Sequence, residues 1–329
     1  MKNKENQKTM KISNSKKLLK LILFLSFLNF NLTAQIKNDV VKDSLKNEIK
    51  DSITKKSYFK FSASYLSNYV YNGRNDSIAT PYITPSVGYF NKKGFDVSFS
   101  GYYLNQANEH RFDFFSLDLN YNHEFTDNFS SGLVASRTFY NKSTNTLSSN
   151  IKGNIGANTD YDFGFIELFI EGDLLFSQKT DFALDIELER EFSLKNGKDE
   201  FKITPTFDVN FSTLNYYEGY LNKKIGKKIL HNNPNIANVN AITTVDDNRF
   251  TLLDYEFSVL MSYQTKQFVF FLTPTYAIPK NTIYTTTVTT TKLASGIENV
   301  VTKNSTTESE RNLKQNLFVE FGLYYKFDL

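Results

Sequence analysis

The chain has 329 residues, a formal net charge of +3, 40% hydrophobic and 22% charged residues, and a mean hydropathy of -0.40. That excludes a bundle of membrane helices, which needs long uncharged apolar runs, and its scattered Lys and Arg offer no basic face to nucleic acid. The absence of Cys excludes thiol catalysis, Cys-ligated zinc and a lipidated N-terminal Cys, and leaves 31 Phe and 20 Tyr to be explained.

Lys11, Lys16, Lys17 and Lys20 precede an apolar run from Leu21 to Leu32, and Leu32-Thr33-Ala34 stands before Gln35. A basic start, a short apolar middle and a small residue at the cut predict a cleaved signal peptide over residues 1–34. Ser26, Asn29 and Asn31 interrupt the run, which falls short of the roughly 20 apolar residues of a spanning helix. Residues 35–57 read as a periplasmic leader. Val40, Val41, Leu45, Ile49 and Ile53 have helical spacing there, with a disordered spacer as the alternative.

From residue 58 the period becomes two. Phe59, Phe61, Ala63, Tyr65, Tyr69 and Tyr71 share the first strand's apolar side, and Ile83, Val87 and Tyr89 the second's. The turn Asn91-Lys92-Lys93-Gly94 leads into Phe95, Val97, Phe99 and Tyr103, opposed by Asp96, Ser98 and Ser100. Phe115, Leu117, Leu119 and Tyr121 follow, then a strand from Phe129 to Tyr140 whose faces are ambiguous. The next apolar set is Ile151, Ile155, Ala157 and Tyr161, then Ile166, Leu168, Ile170 and Leu174. In the eighth segment Phe182, Leu184, Ile186 and Leu188 alternate with Asp185, Glu187, Glu189 and Glu191, a pattern that a helix would scatter around its circumference. Later apolar sets are Phe201 to Phe211, then Leu253, Tyr255, Phe257, Val259, Met261 and Tyr263, then Phe268, Phe270, Leu272 and Tyr276. The last strand, Leu317 to Leu329, places Tyr325, Phe327 and Leu329 on its apolar face. An apolar residue ending such a strand is the signal that outer-membrane barrels present to their assembly machinery.

Twelve such segments behind a secretory signal predict an all-β fold: a transmembrane antiparallel β-barrel in meander order over residues 58–329. Short links at Asn91 to Gly94, Thr126 to Asn128, Asp160 to Phe163, Ser193 to Asp199 and Gln264 to Gln267 alternate with a second class. That class comprises Asn72 to Ser77, Asn105 to Arg111, Asn141 to Asn150, Ser177 to Thr180, and the long outer loops 212–249 and 280–312. This parity puts both termini in the periplasm. Pro81, Pro85, Pro205 and Pro274 fall within proposed strands, where each removes a ladder donor, so bulges or strand ends are expected there.

The polar faces predict an acidic lumen: Asp96, Asp118 and Asp208; Glu167, Glu171 and Asp173; Asp185, Glu187, Glu189 and Glu191; Asp254, Glu256 and Glu320. The basic residues assigned there are Lys60, Lys152, Lys202 and Lys326. Carboxylates lining a wet pore favour cations, and Glu167, Glu171, Asp173, Asp185, Glu187, Glu189, Asp254 and Glu256 are the selectivity candidates. The alternative is a solvated face partly paired with Lys across strands. The loop 212–249, with Tyr216, Tyr217 and Tyr220 and then Lys223, Lys224, Lys227 and Lys228, either constricts the pore, binds a surface ligand or is a mobile outer segment. The Thr-rich loop 280–312 predicts a projecting hairpin. His110, His123 and His231 are too few and too dispersed for a metal cluster. No His-Ser arrangement, phosphate loop or zinc spacing is present, so no enzyme activity and no cofactor is expected.

The stretch Ser64-Tyr65-Leu66-Ser67-Asn68-Tyr69-Val70-Tyr71-Asn72-Gly73-Arg74 resembles the opening strand of the TorF-like porin family. Ser67, Tyr69, Val70 and Gly73 match, and Asn68 stands where the family carries Asp. A looser likeness runs through Gly88 and Tyr89, Lys93-Gly94-Phe95 and Ser116 to Tyr121, and the two long outer loops depart from the pattern. The resemblance implies a bacterial outer-membrane barrel with no catalytic residues to carry over. The expected function is a porin-like passive channel for small solutes, cation-biased, with outer-membrane lipid and the assembly machinery as partners. A closed structural or adhesive barrel binding surface partners through its long loops is the alternative.

Overall fold

Alternating side chains give each strand one apolar and one polar face, and backbone groups in hydrocarbon must all be paired, so strands of this kind close into a ring. A computed structural model describes residues 56–75, 79–144, 146–233, 235–246, 248–305 and 313–329. The signal peptide 1–34 and all but the last two residues of the leader 35–57 lie outside the described residues.

Twelve strands form the ring: β1 (Tyr58–Leu66), β2 (Tyr82–Phe90), β3 (Phe95–Gln106), β4 (Glu109–Thr126), β5 (Phe129–Tyr140), β6 (Gly153–Asp162), β7 (Glu167–Phe176), β8 (Thr180–Glu189, continued by Phe192–Asn196), β9 (Asp199–Ser212), β10 (Thr251–Thr265), β11 (Phe268–Pro279) and β12 (Asn316–Asp328). Each pairs antiparallel with its chain neighbours, and the seam closes β1 on β12 from Tyr58↔Asp328 to Leu66↔Glu320. The Leu329 N–H donates to the Ser57 carbonyl (2.9 Å), which ties the last residue to the start of the ring.

The exterior is hydrocarbon. Phe61, Leu133, Ile155, Leu174, Phe257 and Phe321 all point outward and are exposed, a surface that a bilayer satisfies and water does not. Two aromatic girdles flank this belt, as amphipathic rings do at membrane interfaces. At the short-turn end ring pairs run through Phe59–Tyr89, Phe125–Phe129, Tyr161–Phe163 and Phe268–Tyr325, and at the other end through Tyr103–Phe112, Phe182–Phe250 and Phe211–Phe250.

The prolines fit without opening the ring. Pro81 precedes β2, and the other three point toward lipid and each interrupts one local stretch of ladder. The β2–β3 register breaks at Thr84 and Pro85, β8 splits at Arg190 and Glu191 beside Pro205, and β10–β11 breaks at Pro274. Because the register on either side of Arg190 is unchanged, β8 is one continuous strand missing one donor.

Four expectations are corrected. β1 ends at Leu66, so Tyr69 and Tyr71 leave the lipid face, and Tyr69 is buried inside the ring. Ile151 precedes β6 and is also buried in the interior. Leu253 turns inward because a bulge opposite Asn210 and Phe211 makes it the extra residue, so Leu253 and Asp254 point to the same side. The link expected from Asn105 to Arg111 shrinks to Ala107 and Asn108, since β3 and β4 continue their ladder past the expected ends. The ambiguous faces of β5 resolve with Gly132 inward and Phe129, Leu133, Arg137 and Phe139 outward.

Candidate functional site

The interior divides by height. Through mid-barrel it is mostly polar, near the short turns Tyr58 stacks on Phe90 inside the ring, and at the long-loop mouth it is filled by aromatic and aliphatic side chains.

The filling has three parts. The first is a small hairpin, Val70–Tyr71 paired with Arg74–Asn75, whose two turn residues Asn72 (φ 49°) and Gly73 (φ 70°) both lie in the left-handed region. An Asn-Gly pair suits a two-residue turn of this hand, and at Gly73 an added Cβ would sit 2.7 Å from the Asp254 Cβ. Arg74 pins the hairpin by donating to the carbonyls of Asn72 (3.0 Å), Leu253 (3.3 Å), Lys280 (2.5 Å) and Asn281 (2.7 Å). From β12 the Asn316 amide donates to the Gly73 carbonyl (2.6 Å), while Asn68 Oδ1 accepts from the Thr80 N–H (2.6 Å). Val70 and Gly73 lie in this inserted hairpin, and Tyr69 precedes it.

The second part is a helix, α1 (Asn215–Asn232), within the loop 212–249. Asp181 of β8, fully buried, caps it from the wall: Oδ1 accepts from the Asn215 N–H (2.7 Å) and the Thr213 hydroxyl (2.6 Å), and Oδ2 from the Tyr216 N–H (2.8 Å). A carboxylate there answers both the orphan N–H groups and the positive end of the helix dipole. Glu218 bonds Lys179 Nζ (2.8 Å) and the Val245 N–H (3.1 Å), and Asn222 Oδ1 accepts from the Thr243 N–H (2.6 Å). Tyr216, Tyr217, Tyr220 and Leu221 then pack on Leu147, Ile151, Leu175, Leu253 and Ile283. Burying a side chain such as Leu221 or Leu253 is worth about 1.5–3 kcal/mol. The later turns carry Lys227, Lys228 and His231 on exposed positions. The loop 212–249 thus places its helix among the buried side chains of the mouth. The Thr-rich loop does form a hairpin, Thr285–Leu293 with Glu298–Ser305, and Ile236–Val245 adds a third strand to it.

The third part is an aromatic cluster at the β1–β4 side, where Tyr69, Tyr82, Tyr102 and Phe114 meet edge-on or stacked. A second bulge, at Asp113, sends Asp113 and Phe114 inward together. Asp113 accepts from the Tyr82 hydroxyl (2.6 Å), Arg111 Nε (2.9 Å) and the Thr144 hydroxyl (3.0 Å), which ties β2, β4 and the loop 141–150 to one carboxylate.

Beneath the plug the eight selectivity candidates, Glu167, Glu171, Asp173, Asp185, Glu187, Glu189, Asp254 and Glu256, all point into the lumen on β7, β8 and β10. The register brings them together. Glu171, Asp185, Asn210 and Asp254 form one cross-strand row, Glu187, Asp208 and Glu256 the next, and Glu167 faces Glu189 in a third. Residues directly opposite on neighbouring strands are about 4.5–5.5 Å apart at Cβ, and like charges there repel, so this wall concentrates negative potential. On β1 and β12 the residues Lys60 and Lys326 stand opposite each other, both against the Tyr324 ring. Lys152, assigned to the lumen, is instead an exposed residue of the link before β6, a correction that follows from that strand starting at Gly153.

Sequence reasoning passed over Asp113, Asp181 and Arg74. Asp181 continues the inward set of Asp185, Glu187 and Glu189 with the same period, so the alternation carries its signal. Asp113 lies on a bulge that breaks the period, and Arg74 is a lone cation after a turn.

No family model and no curated protein matches the chain. Similar solved structures include the KdgM porin, at TM-score 0.40 and 10% identity, covering 82% of this chain and 99% of that one. The NanC porin in a rhombohedral crystal form has TM-score 0.39 and 10% identity, with 82% and 100% covered. LpxR from Salmonella typhimurium has TM-score 0.40 and 9% identity, with 81% and 99% covered. Likenesses this distant carry no functional argument. The class of this protein rests on its own ladder and exterior: a closed, membrane-spanning, twelve-stranded antiparallel barrel.

Proposed function

We propose that this chain is a bacterial outer-membrane barrel of the TorF-like porin type, passing small solutes by a passive, cation-biased route through its lumen. The observation that carries the reading is the contiguous block of carboxylates across β7 to β10, inside a closed ring and below a plug made of loop segments. Carboxylate-lined pores attract cations and repel anions. The basic, apolar and small-residue sequence at residues 1–34 and the apolar end at Tyr325, Phe327 and Leu329 support export and handover to the barrel-assembly machinery, with the long loops at the cell surface.

Planar-bilayer recording tests it. Replacing residues 214–249 with a short turn is expected to raise single-channel conductance severalfold while the folded barrel keeps its heat-modifiable gel mobility. Glu187→Gln with Glu189→Gln is expected to reduce the cation preference of the opened channel. The filled mouth is the one observation that speaks for the alternative of a closed structural barrel. Absence of conductance in both the native and the excised protein would decide for that alternative.

A further inference from the structure

We propose that the outer rim at β5 and β6, together with the lysines of α1, is a docking site for the phosphorylated glycolipid of the outer leaflet. The proposal rests on the outer-membrane orientation given above, with the long loops at the cell surface.

Two arginines stand on the lipid-facing side of the wall, and they differ in what they meet. Arg190, near the short turns, donates to the Gly164 carbonyl, so the protein itself supplies its acceptor. Arg137, at the long-loop end of β5, is outward and exposed, and its neighbours across the ladder, Leu117 and Gly153, offer no side-chain acceptor. Its guanidinium carbon lies 5.8 Å from the centre of the Phe139 ring, and no hydrogen bond or ion pair joins it to another of the described residues. An arginine facing lipid is costly at the bilayer midplane and tolerated near the interface, where its head reaches the headgroups. There its planar fork matches the oxygens of a phosphate.

A separate observation lies on top of the same rim. The Lys152 carbonyl accepts from the Thr138 N–H (2.9 Å), which places this exposed lysine at the end of the wall beside Arg137. Across the loop 141–150, Lys223 Nζ of α1 reaches the Ser149 carbonyl (3.4 Å) and Lys227 Nζ the Ser143 carbonyl (3.2 Å). The charges that act on Lys223 are those of Lys227 and Lys152, both of its own sign. Like charges one turn apart destabilise a helix, and no carboxylate pairs with Lys152 or Lys223 among the described residues. A sugar headgroup with two phosphates answers both features at once, one phosphate at Arg137 and one between Lys152 and Lys223, while a lipid with a single phosphate reaches only one of them. Its acyl chains would lie on the outward side chains Phe139, Ile155 and Phe176. Because Lys223 and Lys227 belong to α1, the glycolipid binds the docked plug better than the released one and stabilises it by mass action.

Native mass spectrometry of the full mature chain in detergent micelles tests the site, with bisphosphorylated lipid A as probe and dephosphorylated lipid A, phosphatidylglycerol and inorganic phosphate as comparisons. Saturable one-to-one retention of lipid A, and weaker retention of the other three, is expected. Arg137→Gln should weaken it by about tenfold, the loss of one charge-assisted contact to phosphate, and Lys152→Gln combined with Lys223→Gln should weaken it comparably. The lysine pair decides if Arg137→Gln loses the heat-modifiable mobility of the folded barrel. Lipid A should also slow trypsin cleavage at Lys224 severalfold in the native chain and not in Arg137→Gln, although Arg137 stands on the wall and not on the plug. Equal retention of any comparison compound, or undiminished retention in the variants, overturns the proposal. An impermeant amine reagent on intact cells reads the orientation separately. Labelling of Lys227 and Lys228 without glycolipid binding removes the site and leaves the orientation, and binding in micelles without surface labelling removes the orientation and the proposal with it.

Discussion

β8 and α1 meet at Asp181, yet the strand and the helix are held by different means. The strand is one of twelve, paired on both edges from Ala183 to Glu189 and with β9 beyond that, and it keeps its register across the donor lost at Pro205. Its outward residues need only be apolar and its inward ones only polar. The helix is held by particular groups: the Asp181 carboxylate at its first turn, its own Glu218 and Asn222 accepting from Val245 and Thr243 of the flanking strand Ile236–Val245, and three tyrosines in the apolar mouth. Gly219 faces Asn150 so closely that an added Cβ would fall 1.6 Å from its Nδ2. A redundant wall tolerates local loss, whereas a plug built from single contacts responds to each one. The plug is therefore the part of this molecule with the means to open.

Substitutions can break that contrast. Arg74→Ala removes one guanidinium from four backbone carbonyls in a buried setting. Hydrogen bonds to a charged donor are worth about 1.5–3 kcal/mol each and are not additive, so the hairpin should lose roughly 3 kcal/mol or more. Hydrogen exchange at Tyr71 and Asn75 should accelerate strongly while the β6–β9 ladder stays protected. Uniform acceleration through the ladder would show that hairpin and wall form a single cooperative unit.

Asp181→Ala should cost about 1 kcal/mol of helix docking, the usual value of an N-cap. Trypsin cleavage at Lys223 and Lys224 should then quicken, with the thermal transition of the barrel in place. A fall in that transition matching the gain in cleavage would place Asp181 among the residues that hold the wall.

The smallest effect concerns pH. Lys223 is held below the ordinary lysine range by desolvation at the plug, and secondarily by Lys227 and Lys152. A lysine whose pKa is lower in the docked state than in the free chain disfavours docking while it is charged. The penalty is full below the docked pKa and fades as pH rises toward the free value of 10.5. Resistance of α1 to trypsin should therefore increase slightly on raising the pH through that window, and Lys223→Gln should flatten the trend. The effect is small because the side chain reaches solvent, which screens it.

The wall could be read from the amino-acid order, and the mouth could not. Alternation of Phe182, Leu184, Ile186 and Leu188 with Asp185, Glu187 and Glu189 names both faces of β8 without reference to any other strand. The carboxylates of the site were legible in the same way. Where the reading erred, at Tyr69, Ile151 and Leu253, the residues lie past a strand end or on a bulge, where a period of two no longer reports direction. The Asn72-Gly73 pair carried a turn signal, but nothing local says that the turn folds inward.

Residue order alone determined the all-β class, twelve strands, the outward and inward faces of all but β5 and an acidic interior, because each depends on neighbours two positions apart along one chain. Only the tertiary structure decided which carboxylates share a row, that α1 and the hairpin at Gly73 occupy the mouth, and that Asp181 and Arg74 hold them there. Those outcomes depend on ladder register and on contacts between segments far apart in the chain, such as Arg74 with Lys280 and Asn281 and Gly73 with Asn316, whose loop-closure cost leaves no local imprint.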